Sequence, residues 1–403
     1  MNTSSSLPLQ LNERTVIIDI LRGFALLGVI IANLEGFITF ALPDAQVELM
    51  TNTQADKIIG HFLILFIDNK FITIFSLLFG YGFGVVIERV AAKGINVNSF
   101  FIRRMLILFL FSLIHVGFWW GEILNVYASC GLLLLFFRKS SDKKLLIWAG
   151  ILLLICTPLI HGLKMYLLPS NSAELNNLLN DYVTSVKGKS ISEIFQANYK
   201  TVWYIFFERW SQYRDMCEVL AKFLIGYYVL RMGWLKKIEN FLPFFKKVWK
   251  VSLAITLLYL LEKTVVEIYG VELSSKEMKI AEFIFARAGI LNLSLFYCTS
   301  IILFYYRNKG LKLFQSFRWL GMMSLTNYVT QTLFYVILFY GLGFGMLGRM
   351  HLQWVIPIGV TFYFLQSLLS KYWLRYFNYG PVEWIWRQLT YGKKFPIKRT
   401  PAF

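Results

Sequence analysis

The chain has 403 residues, of which 57% are hydrophobic and 16% charged, and its mean hydropathy is +0.55. A soluble domain carries about 25% charged residues, so this composition excludes a soluble protein and indicates a polytopic membrane protein. The formal net charge of +18 does not indicate nucleic-acid binding, because the basic residues lie mostly between apolar segments and no nucleic-acid recognition motif accompanies them.

The apolar segments predict an all-α, polytopic helical membrane protein of about ten transmembrane helices, because a bilayer requires about 20 apolar residues per helix. Lys and Arg are concentrated in the connections on one side, which predicts that both termini are cytoplasmic. We expect residues 1–403 to form a single transmembrane domain in contact with the lipid bilayer. The predicted spans are 16–38, 58–88, 105–121, 124–137, 145–168, 215–231, 248–270, 280–305, 319–345 and 354–375.

The first span carries ionisable residues at its beginning, Arg14, Asp19 and Arg22. Asp19 and Arg22 are three residues apart, so they share a helix face and can pair. An ionisable pair inside a span is costly, and it therefore indicates a function. The alternative is an anchor whose charges reach the lipid headgroups. Asn33, near the other end of this span, is predicted to face a substrate cavity.

In the third span, Arg103 and Arg104 stand at the predicted cytoplasmic edge. Two adjacent arginines either stop membrane transfer or bind the phosphates of a cytoplasmic donor, because Arg contacts phosphate in a bidentate manner. His115 follows eleven residues later, about 16 Å farther along a helix. Glu122 comes seven residues after His115, two turns along the same helix face. A His beside a Glu predicts a general base, and a histidine bonded to a neighbouring helix is the alternative.

The ninth span contains a polar stripe, SLTNYVTQT, from Ser324 to Thr332. This stripe either lines a cavity or forms hydrogen bonds between helices, and Asn327 and Tyr328 are its predicted cavity residues. Gly80, Gly82 and Gly84 of the second span indicate close helix packing. That span is too long for one straight helix, so we expect a break or a short preceding helix at Asp68-Asn69-Lys70. Glu218 with Lys222, four residues apart, and Glu282 with nearby Arg287 are expected to form structural ion pairs. The four histidines lack metal-site spacing and the four cysteines occur singly, so no metal ion, tightly bound cofactor or disulfide framework is expected.

Two connections contain amphipathic helices. The outer connection 169–214 becomes aromatic in its second part and predicts either an interfacial helix or a lid over an outer cavity. In the tail, Pro381 can begin a helix, predicted over 380–392, in which Glu383 and Arg387 are four residues apart and can pair. That helix either lies on the membrane surface or closes a cytoplasmic pocket.

The sequence resembles the YeiB family, bacterial membrane proteins defined by domain of unknown function 418. The resemblance rests on five blocks in order, with Glu122 where the family has Asp, and it implies a multi-pass protein of the bacterial cytoplasmic membrane. The blocks are R-x4-D-x2-RGFALLGVIIAN, KFITIFSLLFGYGFG, RR…H…GEILNVYA, LGMMSLTNY and GPVEWIWRQLTYGK.

The family is in turn distantly similar to the transmembrane acyltransferase group, which includes heparan-glucosaminide acetyltransferase and the acyltransferase-3 proteins. That similarity implies acyl-CoA as a co-substrate, and an envelope glycan, lipid or small molecule with a hydroxyl or amine as the acceptor. It implies that Arg22, Arg103 and Arg104 serve the donor, with His115 as base or acyl carrier and Asp19 organising the site. The alternatives are a transporter or exporter of a small amphiphilic solute, or a scaffold without turnover. The oligomeric state, including a homo-oligomer, stays open.

Overall fold

The structure, a computed structural model, describes residues 16–168, 172–268 and 275–399. Arg14 and residues 169–171 of the predicted outer connection lie outside these residues. The regular secondary structure of the described chain is helical, and its only extended pairing is an isolated bridge between Phe377 and Lys398. The prediction of an all-α protein is therefore confirmed.

The described residues of the first half of the chain form eight α-helices, and a π-helical turn over Leu152–Cys156 joins the last two into one continuous helix. These helices are α1 (Val16–Thr39), α2 (Asp44–Met50), α3 (Gln54–Phe66), α4 (Lys70–Ala92), α5 (Val97–Val116), α6 (Leu124–Leu134), α7 (Asp142–Ile151) and α8 (Thr157–Leu167).

The second half contributes nine more helices in the described residues. They are α9 (Ser172–Lys187), α10 (Ile191–Val202), α11 (Ser211–Arg231), α12 (Ile238–Ile268), α13 (Lys276–Arg307), α14 (Lys312–Met322), α15 (Ser324–Phe339), α16 (Val355–Tyr376) and α17 (Pro381–Tyr391).

Six helical stretches of the described chain are long and apolar enough to cross a membrane, so the protein is a multi-pass membrane protein. The apolar stretch Leu124–Phe137 is shorter than these six. The six stretches are Val16–Thr39, Gln54–Ala92, Val97–Val116, Asp142–Leu167, Lys276–Arg307 and Leu352–Tyr376.

The predicted second span contains the break expected at Asp68-Asn69-Lys70. Helix α3 ends at Phe66 and α4 begins at Lys70, while Asn69 adopts a left-handed conformation with φ of 63°. Asn tolerates this region better than most residues. Because of this break, residues 67–69 line the cavity that is described in the next section.

Helix α1 lies at the centre of the bundle and packs against α4, α14, α15 and α16. Glycines allow the closest of these approaches. A β-carbon on Gly23 would lie 1.8 Å from the backbone oxygen of Phe317, and one on Gly321 would lie 1.8 Å from that of Asp19. The backbones of α1 and α14 therefore touch, in the way that small residues permit between membrane helices.

The outer connection folds over the turn that joins α5 to α6. Asn198 of α10 donates a hydrogen bond to the Gly117 oxygen at 3.1 Å, and Tyr199 donates one to the Leu113 oxygen at 2.6 Å. The hydroxyls of Tyr182 and Tyr340 lie 2.8 Å apart, and Tyr340 also donates to the Phe118 oxygen. Helices α9 and α10 thus fix the position of the turn.

Candidate functional site

The imidazole of His115 lies in the last turn of α5, almost fully buried. Helix α5 ends at Val116, so Glu122 is not two turns farther along α5, as the sequence spacing suggested. The intervening turn carries Glu122 to the beginning of α6 instead. There its Oε2 lies 3.7 Å from Nδ1 of His115, and the predicted neighbours still face each other.

Glu122 is held by the end of α6. Its two carboxylate oxygens accept hydrogen bonds from the backbone N–H groups of Leu124 at 2.6 Å and Asn125 at 3.0 Å. Unpaired N–H groups at a helix N-terminus stabilise negative charge. The carboxylate is therefore fixed in one orientation, with its charge toward the imidazole.

Helix α15 supplies the other neighbours of His115. The Nε2 atom lies 2.8 Å from Oγ1 of Thr332, and the ring lies 5.1 Å from that of Tyr328 by centroid distance. Within the described residues, Nδ1 has no hydrogen-bond partner. A carboxylate facing Nδ1 favours a proton on that nitrogen, which leaves Nε2 as the acceptor.

The polar stripe of α15 divides between two faces. Tyr328 and Thr332 face His115, whereas Asn327 bonds to the Leu320 oxygen and to Ser370 of α16, both at 3.1 Å. Gln331 on the same side bonds to Gln366. Asn327 therefore connects helices and is not among the residues that line the cavity described next.

A charged cavity of about 290 Å³ lies beside this cluster, at the helix ends predicted to be external. Tyr328 forms part of its wall, and His115 lies behind the Tyr328 ring. Asn33 also lines the cavity. The charged lining residues are Glu35, Asp68, Arg214, Asp215, Glu218, Lys222 and Arg287.

On the side formed by α11 and α13, the cations of the charged cavity are paired. Lys222 contacts Glu218 at 2.5 Å, as its i, i+4 spacing predicted, and Arg287 contacts the same carboxylate at 3.4 Å. Arg214 contacts Asp215 at 2.8 Å. The predicted pairing of Arg287 with Glu282 is wrong, because Arg287 contacts Glu218 and Glu282 contacts Lys263 of α12.

The opposite wall is acidic. Glu35 of α1 is buried, lines the cavity and accepts a hydrogen bond from the Thr39 hydroxyl at 2.8 Å. Asp68 lies next to it in space, and its Oδ1 has no hydrogen-bond partner among the described residues. Lys70 follows Asp68, but its ammonium donates to the Ile64 oxygen. This wall therefore carries two neighbouring carboxylates, and Lys70, whose charge acts on Asp68, is not among the residues that line the cavity.

Backbone strain accompanies both walls. The two non-glycine residues of the described chain with positive φ are Asn69, at 63°, and Trp210, at 58°. Asn69 lines the cavity directly, and Trp210 precedes the helix whose first turns carry Arg214 and Asp215. Strained backbone of this kind costs about 1–3 kcal/mol per residue and is concentrated at functional sites.

A second group of charges, the arginine cluster, lies at the opposite end of the bundle. Arg104 stacks on Trp386 of α17, 3.7 Å from the ring centroid, and its charged neighbours are Arg22 and Arg387. Arg103 is exposed and lies near Gly392 at the end of α17. No carboxylate of the described chain lies within salt-bridge distance of Arg104 itself, and its charged neighbours are both cations.

Asp19 and Arg22 belong to this end of the molecule. Their side chains lie 3.6 Å apart, as the i, i+3 spacing predicted. Arg22 also approaches Gly82 of α4, whose missing side chain leaves room for the guanidinium. The pair is thus associated with Arg104 and is separated along α1 from the cavity residues Asn33 and Glu35.

Helix α17 covers the cluster. Trp386 donates a hydrogen bond to the Arg104 oxygen at 3.1 Å, and Tyr391 packs on Phe100. The carboxylate of Glu383 caps α15, because it accepts hydrogen bonds from the backbone N–H groups of Leu325 and Thr326 at 2.7 and 3.0 Å. Glu383 thus contacts α15 instead of its predicted partner Arg387. The tail helix is therefore docked over the ends of α5 and α15.

Sequence reasoning missed Glu35, Arg214, Asp215 and Thr332 as members of a site, and it treated Asp68 only as a helix break. A carboxylate within an apolar span was the available signal for Glu35. Arg214 and Asp215 gave a weaker signal, because they stand at a helix beginning where charges are ordinary.

The comparisons with known proteins identify the family. The model of "Protein of unknown function (DUF418)" matches residues 229–393. The chain is 31% identical over 394 residues to an uncharacterized 39.9 kDa protein of Bacillus acidopullulyticus, covering 97% of both chains. It is 30% identical to uncharacterized protein YxaH of Bacillus subtilis, over 98% of this chain and 99% of that one.

Uncharacterized protein YeiB of Escherichia coli is 29% identical, over 94% of this chain and 96% of its own. No solved structure matches significantly. The matches to the relatives extend over almost the whole chain, so they include the charged cavity, His115 and the arginine cluster. The chain belongs to the YeiB-like DUF418 family of membrane proteins.

Proposed function

We propose that this DUF418 protein is a transmembrane acyltransferase of the bacterial cytoplasmic membrane. It would move an acyl group from cytoplasmic acyl-CoA to a hydroxyl or amine in the charged cavity. The observation that carries the proposal is the arrangement along α5. Arg104, with Arg22 and Arg387 as its charged neighbours, lies about two turns into that helix, and His115 lies about three turns farther along it, beside Glu122 and the cavity.

The proposed donor end of the site is formed by arginines. Arg22, Arg104 and Arg387 lie close together, and a phosphate group would relieve their mutual repulsion. Trp386 stacks on Arg104 and holds its guanidinium plane in place. Arg104 and His115 are separated by about 16 Å of helix, so the donor needs an extended arm between its phosphates and its acyl group. Coenzyme A has this form.

In the proposed transfer step, His115 is the group that takes up and returns the proton. With Nδ1 protonated toward Glu122, Nε2 accepts the proton of the acceptor hydroxyl in place of the Thr332 hydroxyl. The acceptor oxygen attacks the thioester carbon, and the bond between that carbon and sulfur breaks. The proton passes from Nε2 to the leaving thiolate, which gives an ester and free CoA. Glu122 stabilises the imidazolium between these steps.

The Tyr328 ring lies between the cavity and His115, so the proposed reaction requires Tyr328 to open or bridge this gap. Its ring must rotate, or its hydroxyl must relay the proton, before an acceptor in the cavity reaches Nε2. Tyr328 lies one helical turn before Thr332 on the same face of α15. Movement of one side chain therefore connects the cavity to the base.

The test is ligand-dependent stabilisation of the purified protein in detergent. Acetyl-CoA or a longer acyl-CoA at a hundred times its dissociation constant stabilises the folded state by about 2.7 kcal/mol. We expect a rise in melting temperature that Arg104→Ala reduces. Arg375→Ala is the matched control, because Arg375 also stacks on an aromatic ring, that of Tyr372, but lies outside the arginine cluster.

Absence of a shift with every acyl-CoA would contradict the donor site. Gradient-driven uptake of a solute into proteoliposomes without CoA would instead favour a transporter. If Arg104→Ala lowers the melting temperature without ligand, Arg104→Lys separates the two effects, because Lys retains the charge but loses the bidentate contact.

A further inference from the structure

The charged cavity has two unequal walls. One is formed by α11 and α13, where Arg214, Lys222 and Arg287 exceed the two carboxylates with which they pair. The other carries Glu35 and Asp68. The first wall thus presents one more cation than carboxylates, and the charged side chains that the second wall presents to the cavity are carboxylates only. Such a field favours a molecule that carries both signs.

The acidic wall has unused acceptor capacity. Thr39 occupies Oε1 of Glu35, and its second oxygen accepts no hydrogen bond from the described residues. Oδ1 of Asp68 also lacks a partner. Lys70, the nearest cation in sequence, directs its ammonium to the Ile64 oxygen. Two adjacent carboxylates with free oxygens are a receptor for an ammonium, which has three donors and no acceptor.

The opposite wall fits an anionic group. Guanidinium groups have five donors in a fixed fork, and one carboxylate contact each leaves several of them available. Arg214 contacts Asp215 through Nε and Nη2, and Arg287 contacts Glu218 through Nη1. A phosphate between these two arginines would accept the remaining donors.

From these walls we propose that the cavity binds a zwitterion of the phosphoethanolamine class, with its ammonium between Glu35 and Asp68 and its phosphate toward Arg214 and Arg287. The volume of about 290 Å³ accommodates a small headgroup and excludes a long glycan. That this zwitterion belongs to the acyl acceptor rests on the proposed function, whereas its binding does not.

The test is equilibrium binding of O-phosphoethanolamine to the detergent-purified full chain, measured by calorimetry. Two analogues separate the walls. Ethyl phosphate lacks the ammonium, and O-phosphocholine has a quaternary ammonium that cannot donate hydrogen bonds. We expect both analogues to bind at least tenfold more weakly than O-phosphoethanolamine. Equal affinity for ethyl phosphate and O-phosphoethanolamine would overturn the proposal.

Substitutions then assign the two ends of the ligand. Glu35→Gln and Asp68→Asn should each weaken O-phosphoethanolamine at least tenfold while leaving ethyl phosphate unchanged. Arg214→Gln should weaken both ligands. Glu88→Gln, in an exposed ion pair with Lys236, is the control and should change neither. Unchanged affinity in Glu35→Gln and Asp68→Asn would overturn the assignment of the ammonium, and the ethyl phosphate measurement shows whether each variant is folded.

The same headgroup chemistry occurs in a lipid and in a free metabolite. Binding of O-phosphoethanolamine is therefore measured in phosphatidylcholine nanodiscs with and without phosphatidylethanolamine. If the natural ligand is the lipid, phosphatidylethanolamine weakens binding of the probe by competition. If the natural ligand is a free metabolite, the affinity of the probe is the same in both nanodiscs. Both results support the site. The CoA-dependent melting shift is measured on the same preparations. A CoA shift without zwitterion binding overturns this inference alone, and zwitterion binding without a CoA shift overturns only the acyltransferase proposal.

Discussion

Nδ1 of His115 lies 3.7 Å from Oε2 of Glu122, although His115 is in α5 and Glu122 lies in the turn after it, two residues before α6 begins. The turn between α5 and α6 reverses the chain and returns the carboxylate to the imidazole. Because Glu122 also caps α6, this contact couples the position of the base to the folding of the hairpin.

The first prediction concerns the base. His115→Gln should lower turnover of acyl-CoA by about 10²–10⁴-fold, the usual contribution of a general base, because Gln cannot accept and return a proton near neutral pH. The measurement is release of free CoA thiol by the reconstituted protein. His61→Gln is the control, since His61 is exposed on α3 and lines neither the cavity nor this cluster. Equal turnover in wild type and His115→Gln would exclude the role.

The second prediction separates charge from capping at Glu122. Glu122→Gln keeps an acceptor oxygen for the α6 backbone but loses the charge beside His115. We expect a melting temperature close to wild type and a turnover reduced at least tenfold. Glu122→Ala should lower both, since loss of a cap costs about 0.5–2 kcal/mol. Wild-type turnover in Glu122→Gln would show that the residue is only a cap.

The third prediction concerns the contact between α1 and α14. Gly321→Ala should destabilise the fold by about 1–3 kcal/mol, because the new methyl group would lie 1.8 Å from the Asp19 backbone oxygen. Gly150→Ala in α7 is the control, because nothing lies within 4 Å of its β-carbon position. That variant should be neutral or more stable by up to about 1 kcal/mol. Denaturation in detergent compares the two, and equal stability would contradict the close packing.

The fourth prediction concerns the docked tail. Glu383→Gln should weaken the cap on α15 and destabilise it by about 1 kcal/mol, with faster proteolysis of the tail after α16. Glu239→Gln, in an exposed pair with Lys309, should have almost no effect. A tail that remains equally resistant to protease would show that the Trp386 contact alone holds α17.

The sequence by itself determined the membrane class, the positions of most helices and the local pairs. Apolar length, i, i+3 and i, i+4 spacing are properties of one helix, so Asp19 with Arg22 and Glu218 with Lys222 followed directly. The break near Asp68 followed from apolar length, because the predicted span 58–88 is too long for one straight helix. His115 and Glu122 were also identified as neighbours. The spacing argument assumed one continuous helix through both residues, whereas α5 ends before Glu122.

Only the tertiary structure decided which faces meet. The acidic wall joins Glu35 of α1 with Asp68 before α4, and the basic wall joins α11 with α13. Thr332 and Trp386 reach α5 from segments more than 200 residues away. An amphipathic pattern says that a helix face is buried but not which partner covers it, because that choice depends on the packing of all the helices at once. The charged cavity and the arginine cluster are products of that packing.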